Sequence, residues 1–427
     1  MEELFLHSLW RNACIPATGL KTTDGDDLEI VVAGEYNTNG GPDFLNAQIR
    51  IGGTLWAGNV EMHVHSLQWD EHGHQNDPAY NNVILHVVLH AVGGVKNKEG
   101  RVIKELNLSG VIKPDVLKAY GYIKGSIQTP PCSPFSGYVD NVLWQNLFTR
   151  MTIERIEQRM NYLKRLSRAL GGNPEEVFLL WIARAFGFKV NGEPMELLFR
   201  SLSYRLIRKV KASGGNLEAL LFGQAGFLDQ YFSDDYPLAL QAEFAFLRDK
   251  YSLVPLDSHL WKFLRMRPNN FPTVRLAQFA DLLNKEGSLL DPVEKNYGPS
   301  EWKDWLKVRA GDYWKTHFHF GRFSPLREAE LGILSRDLIF INGIVPFLFF
   351  YARQTGREEI KFRGMEILES IKWESNATIR KWKGMGIHLK SAMDSQGIMQ
   401  LEKNYCSEKR CYDCPAGTKI FKTLSGT

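Results

Sequence analysis

The chain has 427 residues, with 52 Lys+Arg against 48 Asp+Glu (net charge +4) and a content that is 44% hydrophobic and 12% aromatic. Such a chain can bury a large core, which excludes a disordered tail, a collagen-like fibre and a small disulfide scaffold. Its length suggests two or three domains. The opening MEELFLHSLWRN has no basic region leading into an apolar run, so no signal peptide is expected. The longest apolar stretch, residues 338–351, is interrupted by Asn342, Gly343 and Pro346. It is shorter than the ~20 residues a membrane span requires. Five cysteines in a chain of this size are not a disulfide framework. The expectation is a soluble cytoplasmic protein with no membrane partner.

Charge divides the chain. Residues 1–125 hold 10 Lys/Arg against 15 Asp/Glu, a net of −5, whereas the remaining 302 hold 42 against 33, a net of +9. In the acidic part, short β-branched runs flanked by Gly, Asn, Asp or Pro predict strands at 28–33, 47–51, 56–65 and 83–89. After the loop 128–134 the period becomes helical. Leu143, Leu147, Met151, Ile156, Met160, Leu163 and Leu170 approximate one stripe of a long helix. Asn173-Pro174-Glu175-Glu176 then reads as an N-cap, a first-turn proline and a capping-box glutamate. Helical runs such as Met195, Leu198, Phe199, Leu202 and Leu206 continue to about residue 400. The predicted fold class is α+β, a small N-terminal mixed β-sheet module followed by a larger all-helical region. The predicted domains are 1–125, 126–400 and a Cys-rich metal-binding tail, 401–427.

The most informative stretch is Asn39-Gly-Gly-Pro-Asp-Phe44 followed by Trp56-Ala-Gly-Asn-Val-Glu-Met-His63. A loop ending in Pro42-Asp43 leads into one strand, and after Gly52-Gly53 a second strand delivers Glu61. Adjacent antiparallel strands can bring two such carboxylates together at one sheet end. Oxygen ligands of this kind suit Mg²⁺ or Mn²⁺, which can activate water and stabilise charge on a phosphodiester under attack. The pattern resembles the restriction-endonuclease-like PD-(D/E)XK nuclease superfamily, whose motif is Pro-Asp, a spacer, then Asp/Glu-X-Lys. By that resemblance the module is of restriction-endonuclease-like type, Asp43 and Glu61 bind metal, Glu35 is an auxiliary acid, and His63 replaces the catalytic Lys. Imidazole acts as a base near neutral pH, but the replacement also fits a degenerate, inactive copy. The whole chain resembles an uncharacterised bacterial domain-of-unknown-function family through Leu6-His7-Ser-Leu-Trp10, the Gly-Pro-Asp-Phe loop, Val60-Glu-Met-His63 and the Cys-rich tail.

Six of the eleven histidines lie between residues 63 and 90. His63 and His65 share a strand face, and His72, His74, Asp70 and Asp77 could complete a Zn²⁺ or Mn²⁺ site with them. The alternative places His72 and His74 in a solvated loop, and His86 and His90 as ordinary polar positions on the last strand. In the tail, Cys406, Cys411 and Cys414 are spaced C-x₄-C-x₂-C. With a fourth ligand, Cys132 or alternatively Cys14 or His388, they suit Zn²⁺ or a [4Fe–4S] cluster. The arrangement looks like the four-Cys iron–sulfur staple of some nucleases of the superfamily above.

Arg265, Arg267 and Arg275 surround Phe271 in a Pro/Asn-rich loop, and Arg150, Arg155, Arg159, Lys164, Arg165 and Arg168 line the long helix. Arginines contact phosphates and aromatics stack on bases, so these residues are a candidate surface for DNA or RNA. The pI near 8.6 is below that of dedicated binders. Three functions follow: a divalent-metal-dependent nuclease, a non-catalytic nucleic-acid-binding protein on a degenerate nuclease scaffold, or a His/Asp metal-dependent hydrolase of a small molecule. The absence of GxxxxGK[ST] and of Gly-x-Ser-x-Gly weakens nucleotide-motor and serine-hydrolase readings.

Overall fold

The computed structural model describes residues 2–285 and 287–427. Two compact units divide the chain: 1–151 with 375–388 and 397–427, and 152–374 with 389–396.

In the first unit, helix α1 (Glu3–Arg11) precedes strands β1 (Leu20–Lys21), β2 (Asp27–Val32), β3 (Glu35–Tyr36), β4 (Phe44–Ile51), β5 (Thr54–His65), β6 (Val83–His90) and β7 (Lys104–Asn107). Their sheet runs β1-β2-β4-β5-β6-β7, with β3 also pairing β4. Pairing is antiparallel from β1 to β5 and parallel for β5-β6 and β6-β7. The alternation in β4, with Phe44, Ala47, Ile49 and Ile51 buried between exposed neighbours, is that of a sheet with one covered face. The second half of β5 and nearly all of β6 are buried on both faces, as parallel strands usually are. Gly58 is required on β5, because a Cβ there would lie 2.6 Å from the Asn82 carbonyl oxygen.

The parallel β5-β6 connection crosses over through short helix α2 (Gln68–Glu71) and two 3₁₀ turns. It places Trp69 and Tyr80 in a small core with Val83, Val95 and Ile103. Helix α1 buries Phe5 against Tyr120 (ring centroids 4.1 Å apart) and Phe421 (5.0 Å). Phe5 is fully buried, which is worth about 1.5–3 kcal/mol.

The second unit begins within the long helix Asn141–Ala169 and holds a single large core. Asn173 caps helix Pro174–Phe186 as its sequence predicts, its side chain accepting from Glu175 N and Glu176 N. Glu176 does not complete a capping box; its carboxylate accepts from Tyr204 N at 2.8 Å instead. This region is also not all helical, since His317–His319 pairs with Arg322–Phe323 in a two-stranded sheet.

The apolar run is longer than the sequence implied. Ile333–Thr355 is helical for 23 residues, long and apolar enough to cross a membrane. A π-turn at Phe340–Ile344 carries it through Asn342, Gly343 and Pro346. Carbonyls in that turn find side-chain donors, Arg159 Nη1 to Ile341 O at 2.8 Å and Trp181 Nε1 to Gly343 O at 2.7 Å. Its most apolar window is 61% buried inside the structure, and Phe340, Ile341, Ile344, Phe347 and Leu348 belong to the large core.

Candidate metal centre

The Asn39–Phe44 loop is fixed by Asn37. Its side-chain amide donates to Gly40 O and Pro42 O, and its backbone N–H donates to Asp43 O at 2.8 Å. Asp43 and Glu61 then bind reciprocally across β4 and β5. Asp43 N donates to Glu61 Oε2 at 3.0 Å, and Met62 N donates to Asp43 Oδ2 at 2.9 Å.

Alternation along β5 puts Glu61 and His63 on one face. Parallel register sets His86 of β6 beside Glu61, and Glu105 of β7 beside His86. On the crossover, Gln68 accepts from Val64 N and His65 N at 2.9 Å each, ending β5. Gly73, left-handed at φ 78°, then separates His72 from His74. His74 stacks on Tyr80 with ring centroids 3.8 Å apart. Here His63 Nε2 meets His72 Nδ1 at 3.2 Å and Glu61 Oε1 at 3.6 Å, and His74 Nε2 meets the same Oε1 at 3.3 Å. The three imidazoles offer nitrogens all within 4.8 Å of one another. Ligands about 2.0–2.1 Å from a tetrahedral ion stand roughly 3.4 Å apart, so this spacing fits a single ion. Buried His74 Nε2 makes no hydrogen bond beyond its 3.3 Å contact with Glu61 Oε1, so its lone pair is open to a ligand role.

Behind His63 lies a buried relay. His63 Nδ1 is 2.9 Å from His86 Nε2, and His86 Nδ1 is 3.1 Å from Glu105 Oε2. A carboxylate can only accept, so His86 donates from Nδ1 and accepts at Nε2, and His63 donates from Nδ1. This assignment of tautomers follows from the network. It leaves the Nε2 lone pair of His63 directed at Glu61, His72 and the site between them.

A second group adjoins the first. Glu3 and His7, one turn apart on α1, join Asp43, with His7 Nε2 3.1 Å from Asp43 Oδ2 and 3.8 Å from Glu3 Oε1. Their ligand atoms also lie within 4.8 Å of one another. Glu61 stands between the groups, Oε1 toward the imidazoles and Oε2 toward Asp43.

Burial, then the Asp43 charge, pushes the Glu61 carboxyl up to about 9. Burial and the surrounding imidazoles press His63 down to about 2. For His7 burial opposes the charge, but Asp43, Glu3 and Glu61 outweigh it and raise its pKa. Without an ion, His63 is neutral and Glu61 keeps its proton near pH 7. A divalent cation would take the place of that proton.

Several predicted residues lie elsewhere. Glu35 is exposed on β3 and joins no ion pair among the described residues; Glu3 and Glu105 are the further acids here. His65 and His90 stack on each other at an exposed strand end, and Asp70 and Asp77 face solvent. His86, expected as an ordinary polar position, is fully buried.

The loop at 264–275 does not present its residues to a nucleic acid as expected. Arg265 and Arg267 are exposed, but Phe271 packs on Phe263 and His319, and Arg275 is 2% exposed. The Arg275 guanidinium is consumed by Gln278, Asn270 and Ser335. Arg155 and Arg159 likewise turn inward, to Gln396 and to Ile341 and Asn342.

The cysteines do gather. Cys132, Cys406, Cys411 and Cys414 are buried free thiols, and Cys406 interacts electrostatically with the other three. Cys14 is buried elsewhere, its thiol pushed up by burial against the opposing Lys422 charge, and His388 is exposed.

Glu3, His7 and Glu105 escaped sequence reading. Glu3 and His7 carried a signal, an i,i+4 polar pair on a mostly apolar helix. Glu105 had one too, a short run Val102-Ile-Lys-Glu-Leu-Asn-Leu108 bounded by Gly100 and Gly110.

Fold and cluster together define an α+β protein with an imidazole–carboxylate centre on the parallel side of a mixed sheet. The chain belongs to the family described as "Protein of unknown function (DUF2851)", whose model matches residues 3–377. That stretch contains both ligand groups and Cys132, and stops before the tail cysteines. No curated protein and no solved structure matches the chain significantly.

Proposed function

We propose that the protein is a divalent-metal-dependent hydrolase of phosphodiester bonds in nucleic acid. The observation that carries this reading is the convergence of His63, His72 and His74, whose ligand nitrogens lie within 4.8 Å of one another, with Glu61 Oε1 beside His63 and His74. Three imidazoles favour Zn²⁺ or a similar transition ion over Mg²⁺. Glu3, His7 and Asp43 offer a second, more carboxylate-rich position suited to Mn²⁺ or Mg²⁺. Ions there would supply an activated water and neutralise charge on the phosphoryl oxygens. The chain's own residues do the rest. Glu105 and His86 hold His63 in one tautomer, and Glu61 joins the two positions. The Asp43–Glu61 backbone bonds keep both carboxylates at one sheet end.

Two features support the nucleic-acid substrate. The order of a leading strand, two motif strands, a polar segment and a further strand at Val83–His90 supports the restriction-endonuclease-like resemblance. A groove of about 600 Å³ in the first unit is rimmed by Arg11, Arg150, Arg410, Lys419 and Lys422. It is a better phosphate track than the 264–275 loop. A second reading, hydrolysis of a small molecule, is favoured by the withdrawal of Arg275 and Phe271 into packing.

The test is hydrolysis of single- and double-stranded DNA, RNA and bis(p-nitrophenyl) phosphate with Zn²⁺, Mn²⁺ or Mg²⁺. Cleavage lost by about 100-fold or more in a folded His74→Ala variant is expected. No turnover of any of these with any ion would overturn the phosphodiester reading.

A further inference from the structure

Cys132 opens a 3₁₀ turn at Ser133–Tyr138, and Cys406 ends a π-turn at Glu402–Cys406. Cys411 begins the next short turn, and Cys414 is the N-cap of helix Pro415–Ser425. All four are at most 7% exposed, and the elements that carry them pack together: the turn after Cys132 on helix Pro415–Ser425, that helix on the Cys411 turn, and the Cys411 turn on the π-turn ending at Cys406. The Cys414 sulfur receives backbone N–H groups from Ala416 and Gly417 at the helix start. Such donors stabilise a thiolate. Gly417 is required there, since a Cβ would stand 1.9 Å from the Cys411 carbonyl oxygen.

We propose that Cys132, Cys406, Cys411 and Cys414 hold a thiolate-bound [4Fe–4S] cluster that clamps helix α1. On binding, each thiol gives its proton to solvent and its sulfur to the metal. Such a centre closes a loop from Cys132 to Cys406 and ties together the first and last segments of the first unit. The residues between the last two ligands reach α1 directly. Tyr412 O accepts from Ser8 Oγ at 2.9 Å, and Asp413 lies 3.7 Å from Arg11. Because α1 also carries Glu3 and His7, the clamp sets the position of two residues of the imidazole–carboxylate centre while remaining chemically separate from it.

The test uses the full chain purified without oxygen, read by elemental analysis and absorption. About four iron atoms per chain are expected, with a broad absorption band near ~400 nm, whatever zinc the imidazole–carboxylate centre holds; zinc without iron would overturn the proposal. Iron occupancy should fall about tenfold or more in Cys132→Ser and Cys414→Ser, and stay unchanged in Cys14→Ser. If the serine variants fail to fold, the native protein is titrated with a mercurial, which should release the iron as four thiols are modified. Iron-free protein, four thiols reacting without iron release, or iron lost in His74→Ala but kept in Cys132→Ser would each overturn the proposal. That last comparison separates its failure from failure of the hydrolase reading. Hydrogen exchange in residues 3–11 should quicken by roughly tenfold when the metal is removed; unchanged exchange would refute the clamp.

Discussion

Replacing Glu105 by glutamine removes one negative charge from a buried position while keeping shape and an acceptor oxygen. Glu105 is 2% exposed and touches His86, whose ring is fully enclosed. The substitution therefore reaches the candidate metal position only through His86 and His63, a path of hydrogen bonds 3.1 and 2.9 Å long. With a neutral acceptor, His63 keeps its tautomer but loses the charge that makes Nε2 more basic. Substitutions of this kind weaken metal binding by about 10–100-fold, or roughly 1.4–2.7 kcal/mol. The assay is competition for Zn²⁺ against a chromophoric chelator, alongside thermal unfolding of the metal-free proteins. Weaker Zn²⁺ binding with little change in metal-free stability is expected. Equal Zn²⁺ affinity in a folded E105Q protein would refute the relay.

Other outcomes follow from the same geometry. Between about pH 4.5 and 9 the metal-free site keeps a proton on Glu61, because its folded pKa is raised to about 9; His63, depressed to about 2, carries none. Binding the first ion near pH 7 should release about one proton, read by calorimetry in buffers of different ionisation heat, and proton uptake would contradict it. By the same linkage the two groups offset below about pH 6.5, where unfolded His63 binds the proton that folded His63 lacks; above it the folded metal-free chain binds more protons than the unfolded one, so stability falls as pH rises from about 6.5 to 9, and denaturant titrations at pH 7 and 8.5 check the sign. Arg275→Leu should cost about 2–4 kcal/mol by leaving Gln278, Asn270 and Ser335 unpaired, with no loss of nucleic-acid affinity beyond that from unfolding. Glu35→Gln, on an exposed position, should leave metal content and hydrolysis unchanged when both are measured on the same preparation.

The strands at the centre of the sheet were legible because their alternation and flanking turn residues are local properties, and the same holds for the long helix and the Asn173 cap. The meeting of Asp43 with Glu61 followed from strand pairing alone. What the sequence could not convey is which polar residue a distant segment covers. His74 is buried because Tyr80 and Trp69 enclose it, whereas His65, two residues beyond His63, is left at an open strand end. Charge misled for the same reason. Arg275 and Arg159 read as surface cations, yet each donates to oxygens from segments remote in sequence. Glu176 shows the limit at short range, where a long-range amide at Tyr204 outcompetes its own cap.

Cys411 follows Arg11 by 400 residues in the chain. At 5–20 residues per second, synthesis leaves helix α1 without its tail partners for roughly 20–80 s. During that interval Phe5 lacks the Phe421 ring, and Ser8 and Arg11 lack Tyr412 and Asp413. The β5 and crossover ligands, all emerging by residue 105, can gather much earlier. A nascent chain would then assemble its imidazole pocket first and fix His7 and Glu3 last. Premature termination upstream of residue 411 should yield chains that take up a first ion yet present an unanchored, apolar N-terminal helix to chaperones and proteases.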